Sequence, residues 1–317
     1  MSVAARLLAD LVGFDTVSAK PNRELIDYIA DYLKSHGTRA VVTPDETGTK
    51  ADLTATIGPM AGGGVVLSGH TDVVPAEGQN WRTDPFTLTE DGGKFYGRGS
   101  ADMKGFIACV LAQVLDFLAR NLKRPIHLAF SYDKKIGCLN APALIERLKH
   151  QVPLPQAAII GEPTSMRMVN AHKGLWGFIT TVTGRAAHSS NPAKGVSAIT
   201  AAARCVTFLD GLAAELATSE TAPEFDPPHA TINAGEISGG TAVNIVPGAC
   251  RFVWDCRIVA AAEAEEVTKR FHAFCQDLCT EMRGKASEAG IETKNFCTVP
   301  PPPGCRRRGR PPQRGGA

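Results

Sequence analysis

No apolar run in this 317-residue chain approaches the roughly 20 residues needed to cross a bilayer, so no membrane partner is expected. Its opening stretch, MSVAARLLADLVGFDTVS, carries Asp10 and Asp15 among the apolar residues and lacks the pattern of a secretory signal. The nine cysteines are odd in number, scattered and without a CxxC pair. That excludes a disulfide framework and predicts reduced thiols in a cytoplasmic protein. A basic surface is missing as well. The formal net charge is +2, but Arg306, Arg307, Arg308, Arg310 and Arg314 lie in a terminal stretch with no acidic residue, and setting these five aside leaves −3. A mildly acidic remainder argues against a nucleic-acid partner. No internal repeat is visible, which excludes a repeat array.

What is present is an ordinary soluble composition, 44% hydrophobic and 21% charged, in a chain long enough for two domains. Residues 23–36 predict a helix after an N-cap at Asn22, with Leu25, Ile29 and Leu33 at four-residue spacing and a stop at Gly37. The runs at 65–67, 126–132 and 157–160 are apolar and of strand length, as in a sheet covered on both faces. Residues 103–122 read as a buried helix. The alternation predicts an α/β domain over residues 1–174, with a mostly parallel sheet and helices on both faces.

Beyond Leu175 the order changes. Strands are expected at 176–183, 229–237, 242–258 and 291–298, with helices at 196–216 and 261–282. That βαββαβ order predicts a small ferredoxin-like domain over 175–299. From Pro300 the text turns to proline, glycine and arginine, a composition expected to stay disordered through residue 317.

The strongest local signal is Leu67-Ser-Gly-His-Thr-Asp-Val-Val-Pro75. His70 and Asp72, two apart at a strand end, leave the same face. They fit either a His–Asp hydrogen bond that caps the strand, or a metal-binding imidazole whose second nitrogen is held by a carboxylate. Asp102, in Gly97-Arg-Gly-Ser-Ala-Asp-Met-Lys-Gly105, fits either a helix N-cap or a bridge between two cations; the loop does not have P-loop spacing. Glu162 follows the run at 157–160. His70, Asp102 and Glu162 therefore all lie at or just beyond expected strand ends, where open α/β sheets place ligands, and that shared placement favours a metal site.

On GHTDVVPAEGQNW, DPFTLTEDGGKFYGRGSADMKGFIA, IIGEPTSMRMVNAHKG, AAHSSNPAKGVSAI and GGTAVNIVPGACRFVWDCR, the chain resembles the zinc amidohydrolases. That family includes acetylornithine deacetylase, succinyl-diaminopimelate desuccinylase, carboxypeptidase G and the aminoacylases, and the deacetylase branch fits best. The resemblance implies two divalent metals, zinc or cobalt, and hydrolysis of the amide of N-acetyl-L-ornithine for arginine biosynthesis. It implies that His70 and Glu162 hold one zinc, that Asp102 bridges both, and that Asp72 orients His70. It further implies that residues 175–299 form a dimerisation domain of a homodimer, from which His188 stabilises the oxyanion in the partner's site. A satisfied loop histidine is what His188 would be without the resemblance. Asn244 and Arg257 correspond to substrate-side and structural polar positions. Two cations a few ångströms apart would acidify a shared water and polarise the acyl carbonyl, while a carboxylate moves the proton to the leaving amine.

The chain departs from that pattern in two places. Where the family has two consecutive glutamates, a general base and a ligand of the second zinc, this chain has Lys134 and Lys135. An ammonium has no lone pair for a metal, so one metal or none is expected to be retained. Either lysine is expected within salt-bridge distance of Asp102 or Glu162. The resemblance also ends near Val299, before the segment in which the family returns to the catalytic domain with a further metal-binding histidine. The alternative to a hydrolase is therefore an inactive, metal-poor remnant that dimerises or binds. Weaker signals are His272, Cys275 and Cys279 on one helix, read as core packing, and Trp81, read as a half-buried aromatic of the loop after the first motif.

Overall fold

The computed structural model describes residues 1–218 and 222–301, and the expected disordered tail falls outside them from residue 302. The chain divides into two units, residues 1–168 and 169–317.

The first unit opens with helices α1 (Val3–Gly13) and α2 (Arg23–Ser35), followed by strands β1 (Ala40–Pro44), β2 (Ala51–Ile57) and β3 (Val65–His70). A small hairpin of β4 (Thr89–Asp91) and β5 (Lys94–Tyr96) precedes α3 (Gly105–Ala112) and α4 (Val114–Ala119). Strand β6 (Ile126–Ser131), helix α5 (Ala141–Gln151) and strand β7 (Ala157–Ile160) complete it. The five-stranded sheet has the order β1-β2-β6-β3-β7. β3 pairs parallel with both β6 and β7, and β2 pairs antiparallel with β1 and β6, so β2 alone is reversed. Alternation along the strands feeds two faces. Leu53, Ala55, Ile57, Leu128 and Phe130 pack with the apolar sides of α1, α2 and α3. Val66 and Ala129 face the other way, onto Leu144 and Leu148 of α5. The α/β fold with helices on both faces is the one expected.

Three local expectations change. Asn22 precedes α2 but makes no side-chain cap; its amide instead bonds Ala51 O and Thr71 Oγ1, at 2.9 and 2.8 Å, tying the helix start to the sheet. The long helix expected at 103–122 begins at Gly105, breaks at Gln113 and ends at Ala119. Strand β7, apolar throughout, is an edge strand, and its four residues are exposed, Ile159 and Ile160 by 51% and 56%.

The second unit runs β8 (Gly174–Thr183), β9 (Ala187–His188), α6 (Ala198–Ala217), β10 (Thr231–Gly239), β11 (Ile245–Val246), β12 (Ala249–Ile258), α7 (Ala261–Arg283) and β13 (Gly290–Val299). Its four-stranded sheet is antiparallel, in the order β10-β12-β8-β13. The βαββαβ order is thus present, except that the strand expected over 242–258 is broken at Pro247-Gly248, with β11 pairing separately to β9. Both helices cover one face. Trp254 stacks on Phe178 at 4.2 Å, meets Phe271 edge-on at 5.0 Å, and donates its indole N–H to Thr180. Cys275 lies in this core and Cys279 is half-buried, whereas His272 is exposed.

Candidate metal centre

His70 ends β3 and is 2% exposed. The turn after it is fixed by Thr71, whose N–H and Oγ1 both donate to Ser131 O at the end of β6, at 2.9 and 3.0 Å. Thr16 donates to Thr71 O from the far side, at 2.6 Å. The ring Nδ1 of His70 donates to the backbone carbonyl of Asp72 at 2.8 Å, since a carbonyl can only accept. The orienting partner is therefore chiefly the Asp72 main chain; the nearer carboxylate oxygen is 3.4 Å away. This contact turns Nε2 toward Asp102 Oδ1 at 2.9 Å and Glu162 Oε1 at 3.8 Å.

Glu162 lies two residues beyond β7. Gly161 before it allows a close approach: a Cβ there would stand 2.0 Å from the Phe106 ring. Asp102 comes from elsewhere than a sheet strand end. It sits in an irregular turn, Ser100–Lys104, ahead of α3, where its φ of −126° and ψ of 91° are not helical. It is no N-cap of that helix, since residue 104 precedes it and no side-chain cap bond forms. One ligand atom each from His70, Asp102 and Glu162 falls within 4.8 Å of the others, the one such group among the described residues. An imidazole nitrogen with two carboxylate oxygens is the donor type that zinc takes.

Both lysines reach this group. Lys134 Nζ is 2.7 Å from Glu162 Oε1, and Lys135 Nζ is hydrogen-bonded to Asp102 Oδ2. The expected ion pair is therefore formed twice. The lysine loop is anchored by its backbone: the Lys134 and Lys135 N–H groups donate to the two oxygens of Asp72, at 3.1 and 3.0 Å, and Ser18 Oγ donates to the same carboxylate at 2.6 Å. Burial pushes the Asp72 carboxyl up, but the adjacent His70 imidazole and the hydrogen bonds from Ser18 and the Lys135 amide outweigh it and bring it down to about 2. For Asp102, burial is likewise outweighed, by the Lys135 ammonium first, and its carboxyl lies below the ordinary value. Burial lowers Lys134, and its hydrogen bond and attraction to Glu162 more than reverse this.

The charges of the Asp102 and Glu162 carboxylates are thus matched by two ammonium groups before any cation arrives. Around the His70–Asp102–Glu162 group the remaining side chains that reach it are the Lys134 and Lys135 ammonium groups, which have no lone pair for a second cation. The residues present fit the donor set of one dication and do not fit a two-metal centre.

The remaining expected residues belong to the second unit. His188 is exposed on β9, its Nδ1 2.8 Å from Ser190 Oγ. Asn244 is exposed, and its carbonyl accepts from the Ser189 N–H at 2.9 Å. Arg257 lies on β12 and pairs with Asp255 at 3.3 Å. Trp81 is half-buried beneath the Arg98 guanidinium, 4.9 Å from its ring centre. Sequence reasoning missed Ser18, whose polar loop context carries no signal. It also missed Lys104, wholly buried, with Nζ donating to Phe14 O at 2.7 Å. Burial pushes that ammonium down to about 7.

The peptidase dimerisation domain family matches residues 170–283. The acetylornithine deacetylase of Pasteurella multocida (strain Pm70) is 38% identical over 267 residues, covering 84% of this chain and 69% of that protein. That of Myxococcus xanthus is 36% identical over 303 residues, covering 90% and 77%. Among solved structures, an M20 family metallo-carboxypeptidase from Sulfolobus solfataricus superposes with a TM-score of 0.68 at 18% identity, over 92% of this chain and 78% of that one; at that identity the likeness is one of fold. Fold, donor set and relatives together define a hydrolase of the zinc-dependent amidohydrolase class. Within that class the chain belongs to the acetylornithine deacetylase family. It spans 69–77% of the length of those two relatives.

Proposed function

We propose that this chain is built for hydrolysis of the amide of N-acetyl-L-ornithine to ornithine and acetate, a step of arginine biosynthesis, in the cytoplasm. The observation that carries the reading is the convergence of His70, Asp102 and Glu162 within 4.8 Å. In this reading these three hold a zinc or cobalt ion, and Asp72 fixes the loop and the turn around them. His188 serves as the oxyanion-stabilising group and Asn244 as a substrate-side group, with Arg257 as a structural polar group of β12. The second unit, residues 175–299 in this division, pairs two copies into a homodimer, a reading supported by the dimerisation-domain match.

The ion pairs of Lys134 and Lys135 favour a second reading, a catalytically inactive, metal-poor member of the family that acts at most as a dimerising or binding module. The two separate cleanly. Purified protein is dialysed, its metal content measured, and ornithine release from N-acetyl-L-ornithine followed with zinc or cobalt added. Turnover with retained metal removes the second reading. A folded dimer that releases no ornithine at saturating metal removes the first.

A further inference from the structure

We propose that Lys134 and Lys135 are built-in counter-ions that pair the two acids of the His70–Asp102–Glu162 cluster and hold it closed to divalent metal. Their ammonium groups are delivered, not wandering. Both backbone N–H groups are pinned to Asp72, at 3.1 and 3.0 Å, and the neighbouring Asp133 is held by Lys50 at 2.5 Å, itself bonded to Ser18 O at 2.7 Å. From this fixed loop the Lys135 side chain, 13% exposed, reaches Asp102, and the Lys134 side chain, 33% exposed, reaches Glu162. Each carboxylate of the triad thus already has a cation tethered to the same chain, so that a dissolved ion competes with an intramolecular partner.

A dication entering among the three donors would meet two positive charges at contact distance in a partly buried site. Either it displaces both ammonium groups from their acids or it accepts their repulsion. Both routes weaken binding. Neutralising the lysines removes the obstacle while leaving the donors in place, so affinity is expected to rise by about 100-fold or more. The inference takes the second, metal-poor reading of the site and rests on the triad being a cation-binding set; the test separates the two.

The experiment is calorimetric titration of the full chain, stripped with chelator, with Co²⁺. It compares wild type, the Lys134→Met/Lys135→Met double variant, and the double variant carrying His70→Ala. Circular dichroism checks folding, and Lys134→Gln/Lys135→Gln replaces the methionine pair if that one does not fold. The expected result is no saturable binding to wild type, one equivalent bound at least about 100-fold tighter by the double variant, and loss of that binding with His70→Ala. Wild type that binds one equivalent as tightly as the double variant, and loses it with His70→Ala, overturns the counter-ion role and leaves the triad standing. A folded double variant that binds nothing, or whose binding survives His70→Ala, overturns both.

Discussion

Asp72→Asn tests what holds the lysine loop against the triad. The carboxylate is 2% exposed and accepts from Ser18 Oγ and the N–H groups of Lys134 and Lys135. Asparagine keeps the shape but loses the charge, and turns an NH₂ toward donors that then have no acceptor. The stabilisation follows from the carboxyl's displacement from 3.8 to about 2, which at about 1.4 kcal/mol per unit corresponds to about 2 kcal/mol. One stranded buried donor costs about 1–3 kcal/mol, the same order. Because the folded value is the lower one, the stabilisation is fully present above the unfolded value and is lost as pH falls through 3.8 toward 2. Urea unfolding should therefore show Asp72→Asn about 2 kcal/mol less stable than wild type at pH 7, with the gap narrowing between pH 4 and pH 2. A gap of unchanged size across that range, or none at pH 7, would refute the reasoning.

Other perturbations read other parts of the fold. Lys104 keeps its proton only to about pH 7 when folded, whereas the unfolded chain keeps it to about 10.5. Stability should therefore rise with pH between those values, at up to about 1.4 kcal/mol per unit, and Lys104→Met should flatten that slope in unfolding titrations. Gly161→Ala drives a methyl into the Phe106 ring; a loss of about 1–3 kcal/mol is expected, together with a changed environment for Glu162, and an unchanged melting temperature would contradict the packing described. Trp254→Ala empties a site 1% exposed at the centre of the second unit and should cost about 3–5 kcal/mol in denaturant unfolding.

Much of this fold was legible because periodicity reports burial. Val267, Phe271, Leu278 and Met282, spaced by four, seven and four, marked the core stripe of α7, and β3 and β6 read as strands from their apolar runs. Periodicity cannot say where an element stands in a sheet. Ala157–Ile160 has the composition of a central strand and lies at an edge with its side chains exposed. Nor does it register breaks made by backbone geometry, such as the one at Gln113 between α3 and α4.

The site divides in the same way. His70 and Glu162 were found because strand ends in open α/β sheets collect ligands, and the lysine pairing followed from charge alone. Asp102 joins the cluster by another route than the strand end expected for it, on an irregular turn ahead of α3. The role of the Asp72 backbone was hidden, because a two-residue spacing suits carbonyl and carboxylate equally. Ser18 and Lys104 were invisible: their partners lie 54 and 90 residues away in the chain.

The central claim is that two acids and an imidazole converge and that the chain's own cations occupy the acids. The most direct measurement is a crystal structure of the protein purified with chelator and then soaked in zinc, with anomalous scattering recorded at the zinc edge. The account predicts Lys134 Nζ near 2.7 Å from Glu162, Lys135 Nζ bonded to Asp102, and no zinc peak among His70, Asp102 and Glu162. A strong peak bound by those three residues, with both ammonium groups turned out to solvent, would contradict it.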